Sequence, residues 1–189
     1  PKFMWRCLFL MVLIGLGFFW SGSAYITVAF RLLDFFEGGT VDLLVTGIFY
    51  VFQALGIVSV ALLFAHQPAL AGGRRFPFSI SLLIVLFAAG AELVQTAALV
   101  VAFGSLMNLL IGALSACYLT RLATDIPRNR RGIVFGGAYA LGSVGTWLLS
   151  MPMGGRLLWS ELGVVAVALL ALLSLMLLRH LPTLAPFPS

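Results

Sequence analysis

Charge is what this sequence has least of. Its 189 residues include 11 Lys or Arg and six Asp or Glu, so charged residues make up 9%, where a soluble domain carries roughly 25%. Such a chain lacks the charge to cover a water-facing surface, and that excludes an ordinary soluble domain. Cysteine is almost absent too. Cys7 and Cys117 stand far apart in apolar sequence, which excludes a disulfide framework and a thiolate metal cluster. The two histidines, His66 and His180, each fall beside a predicted helix end, where an interfacial residue is expected before a ligand. There is no phosphate-cradling glycine loop, no Ser/His/Asp set and no paired catalytic carboxylates. The sequence therefore predicts no enzyme and calls for no cofactor and no metal. The net charge of +5 and the pI near 9.9 do not point to nucleic acid, because the arginines flank apolar runs, where they set membrane topology.

What is present is apolar length. Hydrophobic residues make up 62% of the chain and the mean hydropathy is +1.13. The charges cluster between apolar runs of about 20 residues, the length that crosses a hydrocarbon core of about 30 Å. The spacing predicts an all-α integral membrane protein with six transmembrane helices, at about 8-30, 43-64, 77-91, 97-119, 132-149 and 162-178. The first run is too long for the apolar region of a signal peptide. Pro77 suits the first turn of the third helix, where a missing N–H costs nothing. Glu92 to Thr96 is expected as a tight turn, Arg121 to Arg131 as a polar loop, and Met151 to Gly155 as the end of the fifth helix. Residues 1-182 form one transmembrane domain on this reading. Residues 183-189 form a Pro-rich tail or the start of a linker.

The basic residues test the helix count. With a cytoplasmic N-terminus and six helices, the inside segments hold Lys2, Arg6, Arg74, Arg75, Arg121, Arg128, Arg130, Arg131 and Arg179, and the outside segments hold Arg31 and Arg156. Nine against two is the positive-inside bias of a plasma-membrane protein. Five or seven helices would scatter the arginines over both faces. Both termini are therefore expected in the cytoplasm.

One segment carries a resemblance. Asp125-Ile126-Pro127-Arg128-Asn129-Arg130-Arg131-Gly132 and the small-residue run after it, with Gly136-Gly137 and Gly142-Ser143-Val144-Gly145, resemble the connection between helices four and five of the major facilitator superfamily. Gly155-Arg156-Leu157-Leu158-Trp159, an apolar run and Leu181-Pro182 resemble the two ends of that family's sixth helix. The resemblance implies the N-terminal six-helix half of a bacterial inner-membrane transporter. Such a half is built as two three-helix repeats, with helices one, two, four and five facing a central cavity. The departures are specific. Of the family's G-x-x-x-D-R-x-G-R-R loop only Gly73-Arg74-Arg75 survives; His66 stands for the first Gly and Leu70 for the Asp that helps gate the cytoplasmic side. Asn108 occupies the place, four residues before Gly112, of an Arg found in many proton-coupled members. The antiporter Gly-Pro pair is missing from the fifth helix, which reads Gly145-Thr146 and then Leu149-Ser150.

Ionisable groups at membrane depth mark function by default, and the predicted helix centres hold none. Glu92 is expected as an interfacial carboxylate rather than a coupling site. The candidate cavity residues are therefore uncharged: Trp20, Tyr25, Gln53, Asn108, Tyr139 and Trp147. An unpaired amide in hydrocarbon costs several kcal/mol on the order of magnitude of, so Gln53 and Asn108 must face protein or water. An interhelical hydrogen bond and a ligand contact both remain open for them, as do packing and pocket wall for Trp20 and Trp147. Arg74, Arg75, Asp125 and Arg131 are the candidate gating or topology residues. Gly132, Gly136, Ala138 and Gly142 in helix five, with Gly15 and Gly17 in helix one, are expected to let helices approach closely. The four arginines between Arg121 and Arg131 fit anionic lipid as well as a topology role. The expected partners are the lipid bilayer, a small-molecule ligand, and a second six-helix half or a C-terminal cytoplasmic domain. Two functions follow as expectations. One is transport of a small molecule by a facilitator-type fold. The other is a membrane-embedded sensory domain of the same fold, of the kind that would stand ahead of a DNA-binding domain resembling the LuxR family.

Overall fold

The computed structural model describes residues 2–150 and 156–181, with side chains from 3–150 and 165–181. The described residues are helical almost throughout. The helices are α1 (Lys2–Leu32), α2 (Gly38–His66), α3 (Arg75–Leu93), α4 (Ala97–Asp125), α5 (Arg131–Ser150) and α6 (Arg156–Leu178). The first five are each long and apolar enough to cross a membrane, and α6 is apolar over Val165–Leu178. A single helical turn, Pro68–Gly72, lies between α2 and α3. Within α2, residues Leu44–Phe49 form a π-helical turn.

Each predicted helix is present, and most extend further than expected. Helix α4 differs most. It runs past Leu119 to Asp125, so that Arg121 is helical and buried rather than part of a loop. The reason is local: one turn on, Asp125 stands 3.7 Å from the Arg121 guanidinium, which also donates to the Gly72 carbonyl at 2.6 Å. A paired and hydrogen-bonded Arg can end a membrane helix from the inside. Helix α6 begins at Arg156, earlier than the predicted start near residue 162. The predicted terminator Met151 to Gly155 and the tail 183-189 lie outside the described residues.

The helices pack in a fixed set of pairs. Helix α1 packs on α5, α6, α4 and, over fewer residues, α3; α4 packs on α2, α3, α1 and, over fewer residues, α5; α3 packs on α6. Helices α1 and α4 are thus the central pair, and α4 contributes the most buried positions, Ile111 to Leu114 and Ala116 to Tyr118 among them. Helices α2 and α5 are the least covered of the five. The pairing depends on small residues. Gly56 of α2 lies against Leu109 and Ala113 of α4, and Gly112 of α4 lies against Gln53 of α2; at either glycine a Cβ would overlap a backbone carbonyl. On the other side, Gly142 of α5 meets Phe18 and Gly15 of α1, and Gly145 meets the Phe19 ring. Gly132 and Gly136 were expected on this seam but face open space. Gly137, which packs on Met11, belongs to it instead.

The two ends of the bundle differ in charge. Arg74 Nη1 donates to the Arg179 carbonyl at 2.7 Å, which sets the start of α3 beside the end of α6. At the opposite end Arg31 pairs with Asp34 at 2.6 Å and donates to the Val94 carbonyl at 2.9 Å, joining the ends of α1 and α3. Glu92 lies in the last turn of α3 at that end, half-buried, with Oε1 lacking a hydrogen-bond partner among the described residues.

Candidate functional site

Between α1, α2, α4 and α5 the bundle opens into a groove of about 550 Å³. Helix α1 contributes Phe18, Ser21, Gly22, Tyr25 and Ile26, and α2 contributes Tyr50 and Gln53. Helix α4 adds Ile111 and Ser115; α5 adds Tyr139, Ser143, Thr146, Trp147 and Ser150. These positions lie at mid-length on α2 and α4. On α1 and α5 they run from mid-length toward the end that carries Arg31 and Asp34.

Among the described residues no lining residue is charged. Most are hydroxyl-bearing, amide or aromatic, an unusual composition for a face that only meets lipid tails. Several hydroxyls turn back onto their own helix, as Ser115 does onto the Ile111 carbonyl at 3.0 Å and Ser150 onto Trp147 at 2.7 Å. That bond engages the hydroxyl hydrogen and leaves oxygen lone pairs as acceptors. The Tyr25 hydroxyl reaches across to the Val45 carbonyl of α2 at 3.3 Å.

Two aromatic patches wall the groove. Tyr25 and Tyr50 stack with centroids 6.0 Å apart, joining α1 to α2. Tyr139 stacks on Phe135 and meets Phe18 edge-on at 6.3 Å, joining α5 to α1. Trp147 is 57% exposed and lies along the same wall.

Of the six candidate cavity residues, Tyr25, Gln53, Tyr139 and Trp147 line the groove. Asn108 does not. It is fully buried behind Gln53, accepting from Gln53 Nε2 at Oδ1 over 2.7 Å and donating from Nδ2 to the Gly104 carbonyl at 2.7 Å. Asn108 therefore orients the groove amide from behind, and the two amides meet at one place from α2 and α4. Trp20 is also fully buried, away from the groove, and its indole Nε1 has no hydrogen-bond partner among the described residues. Tyr50, Ser115 and Ser143 were not singled out from the sequence. A polar residue every third or fourth position would have been their signal, but an almost uniformly apolar helix makes that stripe faint.

The other end of the bundle is closed. Leu10, Leu13, Phe64, Leu70, Tyr118, Leu178 and Leu181 converge there around a void of about 10 Å³, room for a single water. Arg121 caps this plug, and the Tyr118 hydroxyl lies 3.4 Å from that of Ser174 in α6. Of the candidate gating residues, Asp125 belongs to the Arg121 pair, and Arg74 ties α3 to α6. Arg131 donates from Nε to the Ile126 carbonyl at 2.9 Å, and from Nη2 to Ala123, so it caps the end of α4. Arg75 is exposed beside Arg74. The fold is thus a helical bundle fit for a membrane, closed at its arginine-rich end and open along one uncharged polar face. No protein-family model, curated protein or solved structure matches this chain.

Proposed function

We propose that this chain is one six-helix half of a facilitator-type transporter in a bacterial plasma membrane, and that its groove forms one wall of a central site for a small, uncharged, hydroxyl-bearing molecule. The observation that carries this reading is the groove itself: about 550 Å³, bordered by α1, α2, α4 and α5, rich in hydrogen-bonding groups and without charge. Amides, hydroxyls and aromatic faces recognise polyols and similar solutes, the rings covering apolar faces while the polar groups fix orientation. The helix pairing supports it as well. Exchanging α1, α2 and α3 with α4, α5 and α6 turns the α1/α5 pair into α4/α2 and the α1/α6 pair into α4/α3, both of which occur and fit a two-fold pair of three-helix units, while the smaller α1/α3 and α4/α5 contacts have no counterpart of that kind.

A panel of hexoses, polyols and nucleosides, titrated against the purified protein with tryptophan fluorescence as the readout, tests the site. Saturable quenching is expected with one class of solute, lost in Trp147→Phe and weakened at least about tenfold in Gln53→Ala, the cost of one buried polar contact. A solute that binds equally well to both variants places the site elsewhere and sinks the reading. Impermeant maleimide on intact cells checks the orientation, in a background lacking Cys7 and Cys117. Thr40→Cys should label from outside, and Arg128→Cys only after the cells are opened.

A second reading, a membrane-embedded sensor, draws on the closed end. Leu70 stands in the plug, and Arg121 and Arg74 hold their neighbours by backbone carbonyls. A plug built this way lacks the carboxylate at position 70 through which a charge-paired gate would open. Solute counterflow in proteoliposomes separates the two: flux favours the transporter, and binding without flux favours the sensor.

A further inference from the structure

A second cavity, of about 350 Å³, lies at the arginine-rich end between the first turn of α3 and the last turn of α6. Arg74, Arg75 and Arg179 form its rim, and Phe78, Ser79, Leu175 and Leu178 form its floor. We infer that this cavity binds the phosphate headgroup of an anionic phospholipid, with an acyl chain laid along Phe78 and Leu175. The inference does not depend on the groove or on transport.

The charge balance comes first. Three arginines line one rim, and Asp125, the carboxylate on α4, stands beside Arg121 instead. Asp34, Glu37, Asp42 and Glu92 are at the opposite end of the bundle, and Glu161 falls near the start of α6, whereas Arg179 follows its end. Among the described residues no carboxylate pairs with Arg74, Arg75 or Arg179, so an anion entering the rim meets positive charge. The second observation is an unmet donor. Arg74 spends Nη1 on the Arg179 carbonyl at 2.7 Å, yet its Nε is buried and has no hydrogen-bond partner among the described residues. A guanidinium presents its donors in a planar fork that matches two phosphate oxygens at once. The start of α3 adds the positive end of a 19-residue helix to the same rim.

Amphipathic layering selects the lipid. The arginines lie at the helix ends, where headgroups are. Phe78, 40% exposed, and Leu175 lie about one helical turn deeper, at the level of the upper acyl chain. A free inorganic phosphate would leave that apolar floor uncovered. Basic pockets between transmembrane helices on the cytoplasmic side bind acidic headgroups on the same principle. The site also differs from the four arginines between Arg121 and Arg131, which the sequence offered for the same role. Two of those, Arg121 and Arg131, are spent on Gly72, Asp125, Ile126 and Ala123.

The test measures the thermal midpoint of the full chain in mild detergent as phosphatidylglycerol, phosphatidylcholine or inorganic phosphate is added. Phosphatidylglycerol should raise the midpoint by about 5 °C at saturation, with phosphatidylcholine and inorganic phosphate giving little. The double variant R75Q/R179Q should lose most of that shift, and R128Q/R130Q should keep it. Ser79→Trp fills the floor and leaves every arginine in place. It should abolish the shift while the unliganded midpoint stays near that of the parent, which covers the case in which the arginine variant misfolds. Equal shifts with phosphatidylcholine, an equal shift with inorganic phosphate, or equal loss in R128Q/R130Q would each overturn the site.

Discussion

The two close helix crossings, α1 against α5 and α2 against α4, use the same small-residue device with different tolerance. At α1/α5 the glycines face mostly side chains. Gly142 approaches Phe18 Cβ, and Gly15 approaches the Leu141 methyl, 2.7 Å from where a Cβ would stand. A leucine methyl can rotate away. At α2/α4 the glycines face backbone in both directions, Gly56 on Leu109 and Gly112 on Gln53. Backbone inside a helix cannot yield without moving the helix. The second crossing also carries the Gln53–Asn108 bond. The first has only Thr146 reaching the Phe19 carbonyl at a long 3.4 Å. The α2/α4 crossing is therefore the more tightly fixed in distance and register, and α1/α5 the more tolerant. In a bundle whose groove is bounded by both, a change in groove width falls on α1/α5.

Replacements rank accordingly. Gly56→Ala and Gly112→Ala should be the most damaging, each costing about 3 kcal/mol, measured by reversible unfolding in mixed micelles; near-neutral values would break the comparison outright. Gly142→Ala and Gly15→Ala should cost about 1 to 2 kcal/mol, with Gly15 the milder because its nearest neighbour is the far end of a side chain. A double-mutant cycle on Gln53→Ala and Asn108→Ala should return a coupling of about 1 kcal/mol. A coupling near zero would mean that the amides do not hold the crossing. Smallest of all, Gly136→Ala and Thr146→Val should stay within about 0.5 kcal/mol of the parent, since Gly136 meets nothing within 4 Å and the Thr146 bond is weak.

The sequence made the spans readable because hydrocarbon thickness imposes a length that apolar runs display directly. The Gln53–Asn108 encounter was readable for a related reason, since two amides in apolar helices have few places to go. What failed to show was direction around each helix. Trp20 and Tyr25 stand five residues apart in α1, yet Trp20 is fully buried and Tyr25 lines the groove. On helices apolar all round, periodicity does not mark the face. The glycines of α5 show the same limit: spacing found the helix and Gly142, but Gly137 and Gly145 join it on the seam in place of Gly132 and Gly136. Arg121 misled for a different reason. A charge in sequence reads as loop; Asp125 stands one helical turn away in the sequence, but the Gly72 carbonyl that also holds Arg121 comes from 49 residues back and appears only in three dimensions.

The π-helical turn at Leu44–Phe49 precedes the contacts that α2 makes through Gln53 and Gly56. Its bonds span five residues instead of four, so the turn stores one residue more than an α-helical path would. Were it to tighten, everything downstream in α2 would change phase by about 100°. Gln53 would swing out of reach of Asn108, and Gly56 would present a different sector of its helix to Leu109. The bulge therefore acts as a vernier between the outer third of α2 and the rest, and an insertion or deletion confined to Leu44–Phe49 could be absorbed there while the same change at Val51 could not.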